Sequence, residues 1–232
     1  MGERIPGNGI VVYRDRNIMA VLTGLEHPSH NRKTGDMLQL WIICQEHDPV
    51  TSRRLGLDRY ICGDCPLSGH GCYVVLYQAP QTVWNRYKAE PVRPVPARLR
   101  TSVRIGAYGD GAFLPAALLD KLSAKEGHTS YTHQWLTGPE SLADHSMASI
   151  DNLSANRLGI TSSELKQLAK AKGFRTYRIL GKSDTLDDDE TLCPHFTHGI
   201  QCAHCLLCDG NKGRSRTNIA VPATGAARAA LA

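Results

Sequence analysis

The stretch MLQLWIIC, residues 37–44, decides the fold class because it is almost continuously apolar. Strands that are buried on both faces have such runs, which are typical of a parallel sheet covered by helices. Further strand candidates alternate with helical segments: strands at 102–110, 130–136, 146–151 and 174–180, and helices at 79–90, 112–127 and 162–173. This alternation predicts an α/β fold made of parallel β/α units with right-handed crossovers.

The segments on either side of this core differ from it. Two apolar runs near the start, GIVVY and IMAVL, predict a hairpin or an added edge within residues 1–37, and the β/α core follows over 38–182. Residues 183–214 are polar and dense in cysteine and histidine, so a bound metal would have to organise them. Residues 215–232 are low in complexity towards their end, and we expect a frayed tail or a short helix there.

Composition narrows the class of protein. The 232 residues are 41% hydrophobic and 21% charged, as in ordinary soluble proteins, and the net charge of +5 permits contact with nucleic acid or an anionic cofactor without arguing for either. The start, MGERIPGNGI, lacks the features of a signal peptide, and no stretch reaches the length of a membrane span. We therefore expect a cytoplasmic protein without a membrane partner. Eight cysteines in a reducing compartment point to metal binding or catalysis rather than to disulfides.

The carboxyl ends of parallel strands are where the functional groups of such folds collect. That rule predicts one rim that gathers Cys44, Gly109, Asp110, Gln134, Trp135, Asp151 and Arg178.

The C-terminal cysteines form the stronger of two metal-ligand patterns. Cys202, Cys205 and Cys208 follow one another at x2 spacing, and Cys193 precedes Pro194 nine residues upstream of Cys202. Three close cysteines and a separate Cys-Pro are the pattern of bacterial [4Fe–4S] ligation. Zinc more often takes two separated pairs, but a mixed site that uses neighbouring histidines, and thiols with no ligand role, stay open. The neighbouring histidines are His195, His198 and His204.

The second pattern is Cys62-x2-Cys65-x6-Cys72, in the loop region after the first strand of the series. A closed metal site takes four ligands, so the fourth position is either filled from elsewhere or open to a substrate. His70 or Cys44 would complete a zinc site, while the simpler interpretation of Cys44 is a small buried residue at the end of a strand.

Taken together, the three-cysteine loop, a Gly-rich strand end in RIGAYGDGAF, a strand that closes in Asp in SMASID, and the cysteine-rich extension resemble the radical SAM superfamily. The resemblance spans residues 38–208 and implies a partial parallel β/α barrel. Its spacing differs from the C-x3-C-x2-C that is usual in that superfamily. It also implies a [4Fe–4S] cluster on Cys62, Cys65 and Cys72, whose open iron binds S-adenosylmethionine.

By the same resemblance, Gly109 and Asp110 would receive the amino group of the cofactor, and Ser149 and Asp151 would face its ribose or the substrate. The C-terminal set would hold a second, auxiliary cluster. The enzyme would cleave S-adenosylmethionine reductively to a radical that modifies a substrate the sequence does not name.

Several strings, among them KTGDMLQLWI, YTHQW and CAHCLLCDG, are also similar to an uncharacterised group of phage and mobile-element proteins. An alternative function is therefore a non-enzymatic zinc protein that binds nucleic acid or a partner protein. In that case the basic stretches at 31–36 and 210–218 would contact phosphates.

Overall fold

The computed structural model describes residues 8–123, 126–213 and 215–231. They form a mixed α/β fold with two five-stranded sheets, as the alternation of strands and helices predicts. The strands are β1 Gly9–Arg14, β2 Ile18–Thr23, β3 Leu38–Cys44, β4 Val103–Tyr108, β5 His128–Thr129, β6 Tyr131–Thr132, β7 Met147–Ile150, β8 Thr176–Leu180, β9 Glu190–Leu192 and β10 Asn218–Pro222. The α-helices are α1 Pro49–Arg54, α2 Arg59–Cys62, α3 Ala79–Tyr87, α4 Ala116–Ser123, α5 Asn152–Leu158, α6 Ser162–Ala171, α7 Pro194–His198, α8 Cys202–Cys205 and α9 Ala226–Ala230.

The first sheet has the strand order β1-β2-β3-β4-β5. β1 and β2 form the predicted antiparallel hairpin, and β2 also runs antiparallel to β3. From β3 onward the pairing is parallel, to β4 and then to β5. β3 is buried at every position except the half-buried Trp41, which confirms the prediction from its apolar run.

The second sheet has the order β6-β7-β8-β10-β9, and all of its pairs are parallel. A single residue, Ser130, separates β5 from β6, so the chain passes directly from one sheet into the other. In place of the single strand predicted over 130–136, the structure has the two short strands β5 and β6. Strand structure therefore begins at His128 and ends at Thr132. The Thr132 hydroxyl accepts a hydrogen bond from the Gln134 amide at 2.9 Å, and this local bond favours the 3₁₀ turn Gln134–Leu136 over a longer strand.

The segment 215–232, expected as a tail, contains β10, which lies between β8 and β9. Ile219 and Ala220 are fully buried there. The short helix α9 follows, and its Ala227 packs with Leu67 of the three-cysteine loop. The sequence does not predict β10 because its apolar run is only three residues long and polar residues precede it.

Local signals explain the principal helix ends. The Thr161–Glu164 capping box begins α6, as the sequence predicts, and Gly173 follows that helix with φ +82°. Asp48 caps α1 by accepting hydrogen bonds from two backbone amides. In the part of the chain that the structure describes, no helix is long and apolar enough to cross a membrane.

Candidate metal and cofactor site

One cavity of about 390 Å³ lies along the parallel strands. Side chains two residues apart on a strand point to the same face, and the cavity wall follows this alternation. Its strand residues include Arg104, Gly106 and Tyr108 of β4, Thr129, Tyr131 and His133 in and after β5 and β6, and Tyr177 and Ile179 of β8. A volume of this size is typical of a small-molecule site.

The three cysteines of the first pattern line one end of this cavity. Cys62 ends α2, and Cys65 and Cys72 lie in the following loop, all three half-buried. Burial raises the pKa of the Cys62 thiol, and the charges of Cys65 and Cys72 raise it further. Cys65 likewise raises the pKa of Cys72. The three thiols thus line one cavity, as ligands of one centre would.

Backbone hydrogen bonds hold this loop to the ends of the strands. The Asp110 amide donates to the Ile61 carbonyl at 2.7 Å, and the Gln134 side-chain amide donates to the Cys62 carbonyl at 3.0 Å. Gly63 has φ +53°, and a Cβ placed there would lie 2.3 Å from Oε1 of Gln134. Only glycine lets Gln134 pack this closely, so the CGDC turn is positioned from the neighbouring strand end.

His133 connects the loop to a buried carboxylate. Its Nε2 lies 3.2 Å from Oδ2 of Asp151, whose side chain is fully buried, and both His133 and Cys65 line the cavity. Burial lowers the pKa of His133, but the bonds to Asp151 and Cys65 outweigh burial and raise it. His133 is therefore placed to donate a hydrogen bond beside the three-cysteine centre.

The Gly-rich end of β4 forms the floor beside the loop. The register of β3 and β4 shifts between the pairs Leu40–Ile105 and Trp41–Tyr108, so the chain bulges at this point. A Cβ at Gly109 would lie 2.5 Å from the Ile42 carbonyl oxygen, and its φ is +80°. The close approach of β3 therefore requires glycine at this position, and Gly109 also lines the cavity.

Three of the four predicted cofactor contacts line the cavity, namely Gly109, Asp110 and Ser149. The Asp110 carboxylate accepts from the Ala112 and His133 amides, at 2.9 and 3.0 Å, so it holds strand ends together as well. Burial raises its pKa. Asp151 instead caps α5 and reaches the cavity only through His133.

The C-terminal cysteines meet at the other end of the cavity, near the amino ends of the strands. Cys193, Cys202, Cys205 and Cys208 together line a second, small cavity, and Cys202 also lines the large one. Burial raises the pKa of Cys208 to about 12, with Cys202, Cys193 and Cys205 adding to the increase. The structure thus brings together all four residues that the spacing groups.

The cysteine-rich segment 193–208 is attached to the rest of the protein mainly by backbone hydrogen bonds. The Cys202 amide donates to the Lys33 carbonyl at 2.9 Å, and the Cys193 amide donates to the Ala220 carbonyl at 2.9 Å. Neither α7 nor α8 has a buried residue. His195 lines the same small cavity, and its Nδ1 is buried without a hydrogen-bond partner in the described chain. A mixed Cys/His site therefore stays an alternative at this end.

Across residues 8–123, 126–213 and 215–231, no three or more His, Cys, Asp or Glu side chains are arranged as the ligands of a single metal ion. The sulfurs that hold a cubane bind different iron atoms, so they lie farther apart than the ligands of one ion. The three cysteines of the first pattern supply thiols, the ligand type that such clusters use.

Comparison of the chain with protein-family models, with curated proteins and with solved structures finds no match. The interpretation of the site therefore depends on its own residues.

The remaining residues of the predicted rim are structural. The Cys44 thiol is buried and contacts the Leu57 carbonyl oxygen at 3.3 Å, as expected of a small buried residue. Trp135 donates to the Ser149 carbonyl, and Arg178 pairs with Glu190.

Several cavity residues, among them Tyr108 and Arg104, are not predicted from the sequence. Tyr108 and Arg104 lie on β4, and only the alternation of side chains along that strand, counted from Gly106, indicates that they face inward. The Tyr108 hydroxyl is buried and has no hydrogen-bond partner in the described chain.

Proposed function

We propose that the protein is an iron–sulfur enzyme of radical SAM type, built as a partial parallel β/α barrel that reductively cleaves S-adenosylmethionine to modify a small substrate. One observation carries the proposal: three cysteines beside the carboxyl ends of parallel strands line a cavity of about 390 Å³. A fourth cysteine is absent from the described lining at that end, so the centre would keep an open coordination position.

The residues around the loop support a bound cofactor. Cys62, Cys65 and Cys72 would hold the cluster, and the backbone at Gly109 would accept the amino group of S-adenosylmethionine. The buried Tyr108 hydroxyl lacks a partner in the described chain, and a buried hydroxyl without a hydrogen bond is costly. A ligand in the cavity would supply the missing bond.

When bound, a [4Fe–4S] cluster with an open iron supplies the single electron that cleaves the sulfonium. The chain's own contribution is to orient the ligands and to exclude water. Gln134 and Asp110 fix the loop against the strand ends, and His133 holds a donor beside Cys65. Tyrosine and aliphatic side chains form part of the cavity lining and would limit the access of water to a bound substrate.

The four C-terminal cysteines would hold a second, closed [4Fe–4S] cluster. The observation in favour is that Cys193, Cys205 and Cys208 all interact with Cys202 within one small cavity. With four thiol ligands such a centre has no open position, so its role would be structural or in electron transfer.

Anaerobic purification and a cleavage assay test the proposed function. We expect brown protein with about eight iron and eight sulfide per chain, since each of two cubanes holds four of each. Reduction with dithionite in the presence of S-adenosylmethionine should release 5′-deoxyadenosine. Colourless protein with stoichiometric zinc would contradict the proposal and would favour the zinc-binding alternative, which retention on heparin at rising salt would then examine.

A further inference from the structure

The part of the cavity towards the C-terminal cysteines is cationic. Lys33 and Arg104 both line it. The only carboxylate among the lining residues that the structure describes is Asp110, and it lies at the opposite end, beside the loop. A small cavity with two cations at one end favours an anionic ligand.

Arg104 is the more informative of the two cations. Its side chain is half-buried in the cavity wall and donates to the Tyr73 hydroxyl, and it forms no ion pair with a carboxylate within the described residues. A guanidinium has five N–H donors in a planar fork, so most of this donor capacity is unused. The guanidinium has no carboxylate partner among the described residues, so an oxyanion bound in the cavity would meet both a positive charge and free donors.

Aromatic rings surround the guanidinium. The Tyr131 and Tyr177 rings lie 4.1 Å apart, and the guanidinium of Arg104 lies 5.7 Å from the centre of the Tyr73 ring. All three tyrosines line the cavity. Rings in such an array bind flat, apolar groups well.

A different role for these cations is to balance the thiolates of the C-terminal cysteines. Lys33 suits that role, because its backbone carbonyl accepts the Cys202 amide at 2.9 Å and its ammonium lies over the Phe196 ring of the same segment. Arg104 also interacts electrostatically with the Cys202 thiol, but its hydrogen bond goes to Tyr73, which follows Cys72 in the other cysteine loop. The Arg104 guanidinium therefore lies between the two cysteine sets, where a substrate would lie.

We propose that the substrate of the enzyme is a small organic oxyanion with a planar ring, whose carboxylate or phosphate is bound by Arg104 and whose ring lies among the three tyrosines. Arg104 pairs with Gln39 and Tyr108 pairs with Trp41 across the bulge, so Gly109 lies about three residue steps, roughly 10 Å, along the strand from Arg104. A ring-bearing body of ordinary size spans most of that length, so the anion would direct the rest of the molecule towards the three-cysteine loop. The reaction of this substrate depends on the proposed function, whereas its binding to Arg104 does not.

Calorimetric titration of the anaerobically purified protein with benzoate, phenyl phosphate and benzamide tests this site. The titrations contain neither reductant nor S-adenosylmethionine, so a failure of cleavage and a failure of substrate binding are seen separately. We expect saturable binding of at least one anion, and benzamide, the neutral counterpart of benzoate, should bind more weakly than benzoate. The stronger of the two anions then shows whether the natural group is a carboxylate or a phosphate.

Substitution of Arg104 completes the test. Arg104→Met should weaken anion binding roughly tenfold to a hundredfold, with unchanged iron content. Arg104→Lys keeps the charge, so its affinity for the anion should lie between those of the unsubstituted protein and Arg104→Met. It replaces Arg104→Met in the test if that variant does not fold. The matched control is Arg86→Met, because Arg86 is an exposed arginine paired with Glu90 at 2.7 Å on α3.

Three results would overturn the inference. One is the absence of saturable binding of both anions to the unsubstituted protein. Another is equal anion binding by the unsubstituted protein and Arg104→Met. The third is loss of iron from Arg104→Met with anion binding retained, which would assign Arg104 to the C-terminal cysteine site.

Discussion

Cys65→Ala is expected to abolish cleavage of S-adenosylmethionine while leaving a folded protein. The Cys65 thiol faces the cavity, whereas its backbone amide is bonded to the Cys62 carbonyl at 3.2 Å and stays so in the variant. Leu67 and α9 continue to pack behind the loop. Cleavage should fall by more than about a hundredfold, because even the outer partners of a metal ligand are worth roughly ten- to a hundredfold. Product formation, iron content and thermal midpoint measure the effect.

Cys44→Ala is the matched control for Cys65→Ala. It removes a thiol that is buried in the core at the end of β3 and lies outside the described cavity lining. We expect a loss of about 1 kcal/mol of stability, typical of a small core truncation, and full cleavage activity. Retention of the complete iron load and activity by Cys65→Ala, or loss of the N-terminal metal from Cys44→Ala, would mean that the centre is a closed four-ligand site.

Cys205→Ala is expected to have the largest effect on stability. The segment that carries Cys205 contributes little apolar burial, since α7 and α8 have no buried residue and only Cys193 and Cys208 enter a core cluster. Metal binding would then be the main source of its folding free energy. A loss of about 3 kcal/mol or more would lower the thermal midpoint of a chain this size by about 10 °C.

His198→Ala is the control for this experiment. His198 belongs to the same segment but is exposed, and its ring bonds only the neighbouring Thr197 hydroxyl among the described residues. Its substitution should leave iron content and the thermal midpoint unchanged. If Cys205→Ala unfolds at the same temperature as the unsubstituted protein, the C-terminal cysteines do not organise their segment around a metal.

The β/α core could be predicted because its strands are long and apolar. The run that became β3 and the capping box of α6 are local signals, and the structure has both where the sequence places them. β10 and the short strands β5 and β6 were missed or misplaced because pairing with distant strands stabilises them. A five-residue strand in the middle of a sheet needs no strong periodicity of its own.

The candidate site, like the fold, could be predicted from the sequence only where the signal is local. Spacing along the chain groups the cysteines, since ligands of one centre recur at short intervals. The contact between His133 and Asp151 and the inward position of Arg104 depend on register between strands, which sequence spacing does not specify. Asp110 and Asp151 were chosen as carboxylates at strand ends, and each accepts hydrogen bonds from backbone amides there as well as from side chains.

Electron paramagnetic resonance of the reduced protein, with and without S-adenosylmethionine, tests the central claim most directly. An open iron on the Cys62, Cys65 and Cys72 cluster should bind S-adenosylmethionine and change the g values of that cluster's signal. The same addition should leave the signal of the closed C-terminal cluster unchanged, and Cys65→Ala should lose the responsive signal alone. A spectrum that S-adenosylmethionine does not alter, from protein with its full iron load, would contradict an open iron at the three-cysteine loop.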